Sequence, residues 1–174
     1  MRNAKFLAQG AILAAIYVGL TYLQNLLLPN SASWPIQCRV SEALCVLAFF
    51  TPAAIYGLSI GCLLFNLSYA MALPLDPVVG TLATALATWC MWKLRHVRLL
   101  GPPWLGMLMP ALWIALLVGW ELDLYLGGGF WINALYVAIG EGIAVLVFGA
   151  VLYRVVVRNR MILRLLQETI GGEI

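Results

Sequence analysis

The chain has 174 residues, 64% of them hydrophobic and only 10% charged, with mean hydropathy +0.97 and formal net charge +3. A water-soluble domain carries about 25% charged residues, so these values exclude one and indicate an all-α integral membrane protein. One transmembrane domain over 1–174 is the natural unit, with no room for a soluble catalytic domain, and Cys38, Cys45, Cys62 and Cys90 form no CxxC pair that would suggest a metal site or a disulfide framework.

A membrane span needs ~20 predominantly apolar residues. The N-terminal stretch is basic and then apolar for longer than the ~7–15 residues of a signal-peptide core, with no clear cleavage site. It is therefore read as a first span over about 4–28, closed by Pro29-Asn30-Ser31. A polar loop with Trp34 and Pro35 follows. The next span, about 38–50, is short for a bilayer, so a short or tilted helix is expected there. Arg39 and Glu42 stand at its head, three residues apart and so on one helical face. Charge at or within hydrocarbon is costly and marks a functional site by default. Phe50-Thr51-Pro52 breaks the run, and Pro52 suits the first turn of a third span over about 53–73.

Leu73-Pro74-Leu75-Asp76-Pro77 is the next break, with Asp76 as N-cap and Pro77 as first helical residue of a fourth span, about 78–94. A basic loop with Arg95, His96 and Arg98 leads to a fifth span, about 104–124, in which Pro110 predicts a kink. Gly127-Gly128-Gly129 turns the chain into a sixth span, about 131–157, and a partly amphipathic tail, 158–174, lies at the surface. In this six-span topology nine of the ten Lys and Arg residues fall on one side, and only Arg39 on the other. The positive-inside rule places that side, and both termini, in the cytoplasm.

The acids are distributed the other way. Glu42, Asp76, Glu121 and Asp123 map near outer ends of spans, and Glu141 lies about 15 Å into the sixth helix at 1.5 Å per residue. Glu42, Glu121 and Glu141 can share the outer half of the bundle with aromatic residues, Trp34, Trp120, Tyr125, Trp131 and Tyr136 among them. Apolar walls with a few placed polar groups are the make-up of a small-molecule pocket. Asn133 and Tyr136 approximately share a helical face with Glu141. Arg39 serves to orient Glu42 or tie down the first loop, and Asn66 to bridge helices. Gly57-Leu58-Ser59-Ile60-Gly61 matches GxSxG but lies inside an apolar helix rather than at a strand-turn-helix elbow. No nucleophile and base converge, no metal set is evident, and GxxxxGK[ST] is absent, so no enzymatic role and no cofactor in this chain are expected. The basic tail suits anionic lipid headgroups or protein partners rather than nucleic acid.

Four blocks, Arg39-Val-Ser-Glu-Ala-Leu44, Phe50-Thr-Pro-Ala-Ala54, Gly61-Cys-Leu-Leu-Phe-Asn66 and Trp131-Ile-Asn-Ala-Leu-Tyr-Val-Ala-Ile-Gly-Glu141, resemble the QueT family over nearly the whole chain. The resemblance implies a six-helix substrate-capture (S) component of an energy-coupling factor (ECF) transporter in a prokaryotic plasma membrane. Such a subunit would work with a transmembrane coupling protein and two cytoplasmic ATPases, which use the ATP. The implied cargo is a queuosine precursor, a 7-deazaguanine such as the 7-aminomethyl form or queuine. Its N–H donors and cationic alkylamine call for carboxylates, its O6 for a donor and its flat ring for an aromatic wall. Glu141, Glu42, Asn133, Tyr136, Glu121, Arg39, Trp131 and Trp34 are the expected substrate-binding residues, Trp34 from the loop that resembles the family's gate. The resemblance also gives a docking role to small residues of the first span, Ala11 and Ala15 foremost, then Ala4 and Ala8, with Gly10, Ala14 and Gly19 widening the smooth face. The alternatives are the same scaffold with a different vitamin or purine-like cargo, and an ion-coupled secondary transporter using Glu141 as a proton site. No two-half inverted repeat favours the latter.

Overall fold

The computed structural model describes residues 2–29, 31, 38–98 and 102–167, and every regular element among them is helical. In order they are α1 (Arg2–Leu27), a 3-10 helix (Val40–Phe49), α2 (Ala53–Ser68), α3 (Asp76–Lys93), α4 (Trp104–Met107), α5 (Met109–Leu126), α6 (Phe130–Ile143), a π-helical segment (Ala144–Gly149), α7 (Ala150–Arg158) and α8 (Arg160–Gln167). Among the described residues three stretches, Asn3–Leu27, Trp104–Leu126 and Phe130–Arg158, are long and apolar enough to cross a membrane. Large apolar side chains such as Leu7, Leu64, Val78, Leu135 and Val151 cover the exterior, while fourteen polar or charged side chains are buried inside. That is the distribution expected where the surrounding solvent is lipid.

The stretch expected as a short or tilted helix is the 3-10 helix, the central element of the bundle. At ~2.0 Å per residue a 3-10 helix advances about a third further than an α-helix of equal length. Its ten residues therefore reach about 20 Å where α-helix would reach about 15 Å. Nine of the ten, Ser41 to Phe49, are buried, so neighbouring elements surround it on all sides. It packs against α1, α2, α3, α7 and the π-helical segment. Gly149 of the π-helical segment makes the last of these contacts possible, since a Cβ there would stand 2.9 Å from Val46 Cγ1. Around this axis α1 packs on α2, α2 on α3, α3 on α5, and α5 on α6.

Other boundaries shift for local reasons. The third span ends at Ser68 rather than near residue 73, because 69–75 form turns ahead of the Asp76–Pro77 helix start. The fifth is interrupted at Leu108, just ahead of Pro110 in the first turn of α5. A proline ring clashes with the carbonyl four residues earlier, here that of Gly106 in α4. The chain leaves α5 through Gly127, Gly128 and Gly129, all at positive φ, which glycine adopts without strain.

Small residues set the α1–α2 contact. A Cβ on Gly57 would meet Gly10 O at 2.5 Å, and one on Gly61 would meet Tyr17 Cβ at 2.9 Å and Ala14 O at 3.0 Å. Gly10 and Ala14 are thus part of the internal packing, not of the outer smooth face assigned to them from spacing. Gly57→Ala is expected to destabilise the protein by about 1–3 kcal/mol, the cost of overpacking a tight interface. Gly19→Ala, with nothing within 4 Å of the added methyl, should be neutral or stabilising. Thermal unfolding of the two variants in detergent distinguishes them.

Candidate functional site

Arg39 closes the loop between α1 and the 3-10 helix and is 6% exposed. Gln24 of α1 fixes the stem of that loop. Its amide nitrogen donates to Ser31 Oγ at 3.0 Å and Cys38 O at 2.6 Å, while its oxygen accepts the Val40 N–H at 2.8 Å. The Cys38 N–H donates to Ser31 O at 3.3 Å, so the two ends of the loop meet. Trp34 lies outside the described residues. The Arg39 guanidinium lies 3.9 Å from Cys62 Sγ and 5.8 Å from the centre of the Phe65 ring. Tyr17, Cys62, Asp76 and Glu42 form its polar surroundings.

Glu42 is buried one 3-10 turn beyond Arg39. In a 3-10 helix residues three apart eclipse one another, which brings Cys45 Sγ to 3.0 Å from Glu42 Oε2. On the other oxygen Glu42 accepts a hydrogen bond from Tyr17 Oη of α1, with Thr84 Oγ1 of α3 at 3.5 Å. Thr21 continues the α1 face, its hydroxyl donating to Tyr17 O at 2.7 Å and sharing a second hydrogen bond with the Ser41 hydroxyl at 2.7 Å. Glu42 is therefore a carboxylate whose acceptors are occupied by the protein itself.

Glu141 and Glu121 differ. Both are fully buried, and among the described residues no donor meets hydrogen-bond geometry with any of their four oxygens. Glu141 of α6 faces Glu42 and the guanidinium and main-chain N–H of Arg39. It stands just ahead of the π-helical segment that packs on the 3-10 helix. Glu121 of α5 faces Asp76, the Leu75 main-chain N–H and Arg39. Asp76 is buried and accepts the Leu73 N–H at 2.8 Å; it is the first residue of α3 rather than its N-cap. Asn66 joins α2 to this corner by donating to Asp76 O at 3.0 Å, which leaves its own Oδ1 without a partner. Four buried carboxyl groups thus share the interior with one guanidinium, and among the described residues five acceptor atoms on Asn66, Glu121 and Glu141 have no donor in hydrogen-bond geometry.

The remaining expected residues are placed elsewhere. Asn133 is buried, but its amide donates to Gly127 O at 2.9 Å and pins the glycine turn. Trp131 is 77% exposed and Tyr136 40% exposed, so neither is a wall beside Glu141. At about 100° per residue Tyr136 is rotated roughly 140° around α6 from Glu141, which explains its outward placement. Asp123 holds the same turn, accepting the Gly129 N–H at 2.9 Å. Ala4, Ala8, Ala11, Ala15 and Gly19 do form an exposed strip along α1. Tyr17, the principal donor to Glu42, was missed by the sequence reading. The signal for it was present: Tyr17, Thr21 and Gln24 are spaced four and three apart, a polar face on an otherwise apolar helix.

A helical bundle with an apolar exterior and an acidic, polar interior has the make-up of an integral membrane protein. The comparison with protein families is specific: the model of the family described as QueT transporter matches residues 7–158, and the chain belongs to that family of transporters. The chain matches none of the curated proteins and none of the solved structures.

Tyr17→Phe deletes the hydroxyl donor and leaves a buried carboxylate oxygen with only the distant Thr84. A loss of about 1–3 kcal/mol of stability is expected from an orphaned buried acceptor. Tyr136→Phe, at an exposed position, should stay within about 0.5 kcal/mol. Unfolding midpoints of the two purified variants check the contrast.

Proposed function

We propose that this protein is the substrate-capture subunit of an energy-coupling factor importer, binding a flat, donor-rich, cationic base of the 7-deazaguanine type at its outer face. The observation that carries this reading is the excess of unmet acceptors around Arg39. A 7-aminomethyl-7-deazaguanine or queuine brings ring N–H groups, an exocyclic amine and a cationic alkylamine. Glu141 and Glu121 supply carboxylates for those donors, and charge-assisted bonds of this kind are roughly twice as strong as neutral ones. Arg39 can donate to the single carbonyl of the base. Glu42, saturated by Tyr17 and Cys45, positions the Arg39 end of the 3-10 helix rather than gripping ligand. Trp34 remains the proposed cover from the first outer loop.

Six membrane crossings accommodate the helices: α1, the 3-10 helix, α2, α3, α4 with α5, and α6 with α7. The shorter α2 and α3 would reach about 24 and 27 Å at 1.5 Å per residue. This topology puts both termini and nearly all basic residues in the cytoplasm of a prokaryotic cell. Delivery would depend on a coupling protein docked on Ala4, Ala8, Ala11 and Ala15 and on two ATPases below it. Exposure of that small-residue strip supports the docking assignment, since smooth faces allow close helix approach in lipid.

One observation favours a second reading. A buried carboxyl without a donor, such as Glu141, is also what a proton-coupled carrier would use. Uptake measured in cells with and without the ATPase partners, and with the proton gradient collapsed, separates the two. Dependence on the ATPases supports the importer, and dependence on the gradient alone supports the carrier.

Two outcomes are expected of variants. Glu141→Gln should weaken ligand binding by more than the ~1 kcal/mol of an ordinary hydrogen bond, because a charge-assisted one is lost. Calorimetric titration of a folded variant reads this, and unchanged affinity would assign Glu141 a structural role. Ala11→Leu with Ala15→Leu should abolish ATPase-dependent uptake while leaving the affinity of the isolated subunit unchanged.

A further inference from the structure

At the opposite end of the 3-10 helix from Glu42, Phe49 and Phe50 form part of the wall of a cavity of about 220 Å³. Four elements converge on it: the end of α3 with the turn beyond, the 3-10 helix, α7 and α8. Its nitrogen-bearing wall is Arg95, His96 and Arg98; Tyr153 and Val157 belong to the apolar part. No carboxylate among the described residues lines it. Arg95 is held in place rather than waving in solvent. Its Nη1 donates to Trp92 O at 2.8 Å, and its guanidinium lies 3.8 Å from the centre of the Trp92 ring. That bond uses one of the five N–H donors of an arginine; no other described residue is bonded to the remaining four.

A preformed concavity with three nitrogen-bearing side chains and an aromatic floor matches an anion attached to an apolar body. We propose that it binds the phosphate of an anionic phospholipid headgroup, with Arg95 and Arg98 contacting the phosphate and His96 beside them. The Phe49, Phe50 and Tyr153 surfaces take the glycerol and first acyl carbons, which a hydrated free phosphate would not need. Val157, half-exposed at the margin of the cavity, gives the acyl chains an apolar exit toward the bilayer. Arginine is suited to this role because its planar fork matches phosphate oxygens in pairs. The site is separate from the acidic interior and does not depend on the transport reading.

The test is lipid retention by the purified full chain, read by native mass spectrometry after exchange into phosphatidylglycerol or phosphatidylcholine. Phosphatidylglycerol should be retained preferentially, and Arg95→Gln and Arg98→Gln should each lower its affinity roughly fivefold, the effect of about one surface-adjacent basic residue. Arg160→Gln and Arg164→Gln, in the basic tail but not lining the cavity, are the controls and should lower retention clearly less, through the tail's general attraction to anionic headgroups alone. Melting temperatures without lipid confirm that all four variants are folded. Equal retention of both lipids, or equal losses in both pairs of variants, overturns the proposal. Protection by inorganic phosphate equal to that by phosphatidylglycerol would reassign the site to a free anion and overturn the lipid as its occupant.

Discussion

One guanidinium enclosed with four carboxyl groups, inside a bundle whose exterior is hydrocarbon, is the constraint on which the rest of the structure depends. Removing an ion from water costs several kcal/mol even after relaxation, so each of these groups needs a compensating partner. Glu42 has its partners within the protein, from Tyr17, Cys45 and the more distant Thr84. Asp76 is held by the Leu73 N–H. Among the described residues no donor meets hydrogen-bond geometry with Glu121 or Glu141, and both face Arg39. The proposed binding site has this character: polar groups arranged by the scaffold, with part of their hydrogen bonding left for a solute.

The scaffold answers this constraint through unusual helix geometry. The 3-10 winding stretches a ten-residue segment through the middle of the bundle and eclipses Glu42 with Cys45. The π-helical segment beside it follows directly from the α6 turn that carries Glu141, and π-bulges occur frequently at functional sites. Close packing of α1 on α2 through Gly10, Gly57 and Gly61 fixes Tyr17 where its hydroxyl reaches Glu42. The same central helix links two chemically different ends, an acidic interior near Arg39 and a basic, aromatic cavity near Phe49.

Much of this was legible from residue order. Low charge content and apolar runs defined a helical membrane protein, and the depth of Glu141 followed from its distance beyond the glycine turn. The blocks around Arg39 and Glu141 carried the family. Other features were hidden for physical reasons. An apolar run records burial but not winding, so the 3-10 and π geometries had no periodic signature. Sequence spacing gives relative angles on a helix but not which angle faces inward; hence Trp131 and Tyr136 were grouped with Glu141 although they face outward. For the same reason Gly10 and Ala14 were joined to the outer strip of α1, when they meet α2. The distinction between Glu42 and Glu141 depends on donors from distant helices, which no local pattern encodes.

The measurement that bears most directly on the central claim is equilibrium ligand binding to the purified, detergent-solubilised chain alone. The ligands are 7-aminomethyl-7-deazaguanine, queuine, guanine, riboflavin and thiamine. Tight binding of a 7-deazaguanine, with guanine much weaker, is the expected result, because only the former brings the cationic alkylamine to a buried carboxylate. A folded sample that binds none of them, or binds guanine equally well, would contradict the claim that the unmet acceptors around Arg39 are a site for such a base.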